Sequence, residues 1–175
     1  PENYEPSDLI KPNVRFLYSE EHPAKYMRQE AALALEELFK AADAEGINLY
    51  AVSGYRSYST QKVLFDNKLK AVGSFEQANQ TVAYPGQSEH QTGLAMDISS
   101  QSVNFGLVKA FGTSKEGMWV AKNCHKYGFI LRYPKEKESI TGYTYEPWHI
   151  RYVGKEAAQE IYEKGLVLEE YLESF

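Results

Sequence analysis

Between residues 23 and 45 the apolar side chains of Met27, Ala31, Ala34, Leu35, Leu38 and Ala42 recur at steps of three and four, leaving the intervening positions mostly polar. That spacing predicts an amphipathic helix stopped by Gly46. Residues 48–55, NLYAVSGY, are short, apolar and β-prone, which predicts a strand delivering Arg56 to its end. Helical spacing returns over 59–72, with Ser59 as the expected cap and Gly73 as the stop. A shorter helix is expected from 74 to 82. The next segment, AYPGQSEHQTG, carries a Pro-Gly pair and predicts an exposed loop. Leu94, Met96 and Ile98 then alternate with Ala95 and Asp97, the period of a strand with two unlike faces. Thr113 and Glu116 stand at capping-box spacing before a helix predicted to run to Tyr127 and end at Gly128. Strands at 129–133 and 149–153 flank a polar stretch, and KEAAQEIYEKG predicts a closing helix.

Residues 1–22 hold three prolines and no clean period, so they read as an extended arm lying over the domain. With helices clustered early and strands late, the pattern predicts an α+β fold: a small, mainly antiparallel sheet with flanking helices. No repeat, low-complexity tract or linker interrupts the chain, so residues 1–175 are expected to form a single domain.

Composition changes this picture mainly by exclusion. At 175 residues, 43% hydrophobic and 25% charged, the chain can build a real core without disulfides. A net charge of −5 and a pI near 5.5 argue against a nucleic-acid partner, which would require a basic face. Cys124 is the only cysteine, which rules out a disulfide framework and a thiolate zinc site. No stretch is apolar for long enough to cross a bilayer. The chain starts at Pro1 without an initiator Met, so a removed N-terminal segment, such as a signal peptide or membrane anchor, is an open expectation. The 14 tyrosines suit a groove for polar, partly peptide-like ligands as well as the rim of a core.

The chemistry concentrates in SEHQTGLAMD, residues 88–97. His90 lies in the predicted loop and Asp97 on the polar face of the predicted strand; Gly93 permits a tight turn, and Ala95 leaves room beside Asp97. A structural His–Asp pair would look the same. EPWH, residues 146–149, adds Glu146 and His149. A catalytic zinc takes three protein ligands and keeps a fourth position for water, a count that His90, Asp97 and His149 supply. Two neutral imidazoles and one carboxylate cancel only one of the ion's two charges, so Lewis acidity survives. Glu146 can then take a proton from water and pass it to a leaving amine. The alternative is that Glu146 is itself a ligand, which would close the site. His22 and His125 lack acidic partners at useful spacing and read as surface or packing residues, and Arg151 as facing solvent.

SGYRSY at 53–58, SEHQTGLAMD at 88–97 and EPWHIRYVG at 146–154 resemble, in order, the signature blocks of the VanY-type D-alanyl carboxypeptidases, most closely the LdcB (DacB) L,D-carboxypeptidases. The resemblance spans roughly residues 48 to 155. It implies the zinc peptidase core shared by lysostaphin-like, D-Ala-D-Ala and hedgehog domains, and one zinc held by His90, Asp97 and His149. It also implies Glu146 as general base, Arg56 as oxyanion stabiliser, and Gln61, Ser88, Tyr133 and Trp148 as pocket residues. On the residues alone, Arg56 could be a surface arginine, Trp148 plain core, and the other three ordinary caps and edges. The implied activity is release of D-alanine from tetrapeptide stems of peptidoglycan by a monomer at the extracellular face of a bacterial envelope. A D,D-carboxypeptidase acting on pentapeptide stems and a non-catalytic zinc-containing wall-binding module are the alternatives.

Overall fold

The computed structural model describes residues 1–175. Strand β1 (Leu9–Ile10) pairs antiparallel with β2 (Met27–Arg28), and helix α1 (Gln29–Ala44) follows directly. The predicted helix therefore starts six residues late. Pro23–Lys25 forms a 3-10 turn in which His22 Nδ1 accepts from the Ala24 N–H at 3.0 Å, and β1 then claims Met27 and Arg28 as a strand. Met27 still reaches the core, but from β2. Within α1, Ala31, Ala32, Leu35, Leu38, Phe39 and Ala42 are buried as one stripe.

Four strands form the main sheet: β3 (Tyr50–Ser53), β4 (Ala95–Ser99), β5 (Phe129–Tyr133) and β6 (Glu146–Tyr152). They lie in the order β3-β4-β6-β5, every pair antiparallel. Helices α2 (Tyr58–Val72) and α3 (Phe75–Thr81) fall between β3 and β4, α4 (Lys115–Asn123) before β5, and the one-turn α5 (Glu138–Thr141) before β6. Helices α6 (Lys155–Lys164) and α7 (Leu168–Glu173) complete the chain. This is the α+β class the pattern predicted, with strands spread along the chain rather than gathered late.

Local chemistry corrects several boundaries. Ser57, not Ser59, caps α2 by accepting from the Thr60 N–H at 3.2 Å. Ser114, not Thr113, caps α4 through the Gly117 N–H at 3.0 Å, and Glu116 instead accepts from Ser102 Oγ at 2.7 Å. Helix α4 stops at Asn123, and a 3-10 turn, Cys124–Tyr127, carries the chain to Gly128 in the left-handed region. Cys124 is buried, and burial pushes its thiol up to about 12, which makes it unreactive. The closing helix is followed by a second, α7, joined to it by Gly165. No helix is long and apolar enough to cross a membrane.

The sheet's inner face meets α1. Ala51, Met96, Ile98, Phe129 and Ile150 join the helix stripe in one apolar cluster. On the other face, Ile130 packs on Ala158 and Ile161 of α6 and Leu168 of α7. The arm is tied down at several points: Phe16 bridges to Ala51, and Arg15 pairs with Asp43.

Candidate active site

Strands β4 and β6 place Asp97 directly opposite His149, so both side chains leave the same face of the sheet. His90 comes from a 3-10 turn, Glu89–Thr92, whose cap Ser88 accepts from the His90 N–H at 3.2 Å. Gly93 closes this turn at φ +73°, and a Cβ there would come within 3.0 Å of Arg28 and Leu9. The loop expected to be exposed thus buries His90 and Gln91. The arm holds Gln91, whose Nε2 donates to the Pro1 and Tyr4 carbonyls at 2.8 and 3.2 Å, while His90 turns inward toward Gly54 and Asp97.

Glu146 requires a departure from strand regularity. Side chains three apart on a regular strand leave opposite faces. Between β5 and β6 the register slips from Leu131↔Ile150 to Tyr133↔Glu146, and Glu146 Oε1 comes to lie 3.7 Å from His149 Nδ1. The strand accordingly begins at Glu146, three residues before the predicted start.

Asp97 Oδ2 is 3.4 Å from His90 Nε2, and Asp97 Oδ1 is 3.1 Å from His149 Nδ1. One donor atom from each of the three buried residues lies within 4.8 Å of the others. Donors around a tetrahedral zinc at about 2.0–2.2 Å stand about 3.3–3.6 Å apart, close to these separations. Asp97 Oδ1 is fully buried, and its approach to His149 lacks hydrogen-bond alignment, so it has no hydrogen-bond partner. Such an orphan is unfavourable unless a cation satisfies it. The far nitrogens are already engaged: His90 Nδ1 donates to the Gly54 carbonyl at 2.8 Å, and His149 Nε2 meets Glu89 Oε1 at 2.8 Å. Each ring thus keeps a lone pair for a shared ion, and the donor set fits zinc.

Burial would raise the Asp97 carboxyl, but His90 and His149 hold it well below the usual range. Burial disfavours a charged His149, yet Asp97 and Glu89 outweigh it and raise the imidazole to about 10. His149 would have to give up that proton to hold an ion, which would couple metal uptake to pH. Burial pushes Glu146 up to about 7, with Asp97 and Glu89 adding to the rise and His149 and Arg56 opposing it.

Arg56 follows β3 and reaches the same cleft. Its backbone N–H donates to the His90 carbonyl at 3.1 Å. The guanidinium donates through Nη1 to Gln61 Oε1 at 2.9 Å and through Nη2 to Ser53 Oγ at 3.0 Å. Gln61 in turn donates to the Ala83 carbonyl at 2.7 Å, so its amide is engaged at both ends. Burial lowers the Arg56 pKa while Asp97 and Glu146 oppose the change, and a guanidinium stays charged throughout. The cleft measures about 490 Å³, and Ser88, Tyr133, Tyr143 and Trp148 line it together with Arg56 and Gln61. Tyr133 packs its ring 5.0 Å from that of His149, and burial keeps its phenol protonated.

Two residues stand where the pattern did not put them. Arg151, expected in solvent, donates Nη1 to Glu89 Oε2 at 2.8 Å, because the β4–β6 pairing aims it at the site. Glu89 was not singled out at all, although it sits inside the SEHQTG motif; its position between Ser88 and His90 was the available signal. His22 is exposed and His125 stacks on Tyr162 at 3.7 Å, and neither joins the cleft.

The family model for VanY, D-alanyl-D-alanine carboxypeptidase, matches residues 24–155. The putative carboxypeptidase YodJ of Bacillus subtilis (strain 168) is 59% identical over 173 residues, 99% of this chain and 63% of that protein, so the chain spans under two thirds of this curated relative. The solved structure of the LdcB LD-carboxypeptidase has a TM-score of 0.94 at 59% identity, covering 99% of this chain and 80% of that one. A mutant of the vancomycin-resistance D,D-pentapeptidase VanY, solved in complex with Zn(II), has a TM-score of 0.75 at 38% identity, covering 91% of each chain.

Proposed function

We propose that this chain, which belongs to the VanY family of D-alanyl-D-alanine carboxypeptidases, is a zinc-dependent L,D-carboxypeptidase that removes the terminal D-alanine from peptidoglycan tetrapeptide stems. One observation carries the reading. Three buried donors, two imidazoles and one carboxylate with an orphaned oxygen, converge, and a second carboxylate, Glu146, lies 3.7 Å from His149 in the same cleft. A merely structural site would have no use for a raised carboxyl at its edge or for a half-buried arginine facing it. The likeness to LdcB, at TM-score 0.94, favours L,D over D,D cleavage.

His90, Asp97 and His149 hold the zinc, which supplies Lewis acidity to polarise the scissile carbonyl and acidify water. Glu146, once ionised, takes the proton of the attacking water and delivers it to the departing amine of D-alanine. Arg56, oriented by Gln61 and Ser53, donates to the oxygen on which negative charge develops. Ser88 and Tyr133 keep hydroxyl protons for the substrate's terminal carboxylate, a role that Gln61, engaged with Arg56 and Ala83, serves indirectly. Trp148 and Tyr143 wall the cleft. The enzyme acts as a single-domain monomer at the extracellular face of a bacterial envelope, with residues 1–22 bracing the His90 turn.

Incubation with purified tri-, tetra- and pentapeptide stems, with products identified by mass, tests the reading. Tetrapeptide should yield tripeptide and D-alanine several-fold faster than pentapeptide loses its terminal residue, and tripeptide should persist. Faster release of D-alanine from pentapeptide assigns the D,D activity instead. Intact stems throughout would leave a wall-binding module.

A further inference from the structure

The most heavily engaged charge beside the cleft belongs to none of the residues given a chemical role above. Glu89 Oε1 accepts from His149 Nε2 at 2.8 Å, while Oε2 accepts from Arg132 Nε at 2.9 Å and Arg151 Nη1 at 2.8 Å. Arg132 is gripped from its other side by Glu169 of α7, through Nη1 to Oε1 at 2.7 Å and Nη2 to Oε2 at 3.0 Å. The Glu89 and Arg132 side chains are 9% and 12% exposed, so these contacts are shielded from solvent. Two carboxylates and two guanidiniums balance, so the cluster presents an ionised acceptor to His149 without adding net charge. Arg–carboxylate forks of this kind are directional as well as strong.

We infer that Glu89 is a positioning residue that fixes His149 as a metal donor through Nδ1, and that Glu169 of α7 supports it through Arg132. The inference rests on the zinc reading above. A neutral imidazole carries its proton on one nitrogen or the other, and the partner of the far nitrogen decides which. With Glu89 accepting at Nε2, one proton stays there, and Nδ1, 3.1 Å from Asp97 Oδ1, is the nitrogen left to give up its proton and offer a lone pair to the ion. Outer partners of this type commonly alter metal affinity by about 10–100-fold when removed. The arrangement also explains why a six-residue terminal helix is pinned to β5: it completes the support of a ligand on the neighbouring strand β6.

The test is zinc affinity, measured by competition with a chromophoric chelator at fixed pH, for wild type, Glu89→Gln and Glu169→Gln. Glu89→Gln should weaken zinc binding about 10–100-fold. Glu169→Gln, at a more exposed carboxylate that perturbs folding less, should weaken it about 2–10-fold. In zinc-loaded protein with 15N-labelled histidine, the His149 Nε2–H resonance should lie downfield in wild type and move upfield in Glu89→Gln, a change that loss of general stability would not produce. Native zinc affinity in Glu89→Gln, or an unmoved Nε2–H resonance, overturns the positioning role. Native affinity in Glu169→Gln alone overturns the part assigned to α7. A wild-type protein that takes up no zinc overturns the metal reading itself, and this inference with it.

Discussion

The two faces of the four-stranded sheet bury their side chains almost equally and put that burial to opposite use. On the face against α1, Met96, Ile98 and Ile150 are 0% exposed, and each contributes stability roughly in proportion to the apolar area removed from water. On the other face, Asp97 and His149 are each 4% exposed and Glu146 is 8%, yet these groups carry charge out of water and leave one carboxylate oxygen without a hydrogen bond. A single residue step along β6, from His149 to Ile150, crosses between the regimes. The apolar face makes the fold stable enough to hold a polar face that is unfavourable until a cation and a substrate complete it.

The sharpest way to break this division is to remove function without touching the apolar face. His149→Ala should lose nearly all bound zinc and all turnover, as read by metal analysis and peptide hydrolysis. Glu146→Gln should keep zinc and fold while turnover falls about 10²–10⁴-fold, because the amide retains the shape but cannot accept water's proton. If Glu146→Gln loses its metal instead, Glu146 is a ligand and the two faces are divided differently.

The converse substitution is one residue away. Ile150→Ala should lower unfolding free energy by about 2–5 kcal/mol, measured by denaturant titration, through lost burial and a cavity against α1. Zinc content and turnover per folded molecule should be unchanged. Loss of zinc affinity in the folded protein would mean that the faces are coupled through the strand.

The sequence made this division partly legible. Period-two alternation around Asp97 and the short spacings from His90 to Asp97 and from Glu146 to His149 depend only on neighbours in the chain, so the two motifs could be picked out before any pairing was known. What stayed hidden depended on tertiary pairing. The slipped β5–β6 register that turns Glu146 toward His149 is a property of two strands together. Glu89 meets Arg132 and Arg151 across sequence separations of 43 and 62, and no local period announces such a contact. The late start of α1 is likewise set by β1, because helical periodicity in 23–28 yields to a strand partner that the local window does not contain.

A subtler change concerns electrostatic preorganisation on the polar face. Arg56→Ala should lower kcat roughly a hundredfold or more, about the 2.7–4 kcal/mol seen on losing one oxyanion donor, with little change in KM. The structure supplies the reason to expect a kcat effect, since Gln61 and Ser53 hold the guanidinium in place before substrate arrives. A large rise in KM at nearly normal kcat would make Arg56 a clamp for the substrate carboxylate.

The smallest expected effect measures directly what the polar face withholds from stability, and it is read in the zinc-free protein. Burial raises the Glu146 carboxyl from 4.5 to about 7, with Asp97 of β4 and Glu89 of the neighbouring turn adding negative charge, while His149 and Arg56 oppose. Between those two values the folded chain binds more protons at this site than the unfolded chain does, so stability falls as pH rises. The contribution of a protonated Glu146 is therefore fully present below 4.5 and lost as pH climbs through about 7. Glutamine cannot ionise and should escape that loss. With zinc chelated, Glu146→Gln should gain on wild type by on the order of 1–3 kcal/mol between pH 4.5 and pH 8, measured by denaturant unfolding of both proteins at each pH. Restoring zinc should shrink the gap, because two positive charges beside the carboxylate favour its ionised form. Parallel pH curves for the two zinc-free proteins would show that burying the Glu146 charge does not destabilise the fold, and the contrast between the faces would then rest on Asp97 and His149 alone.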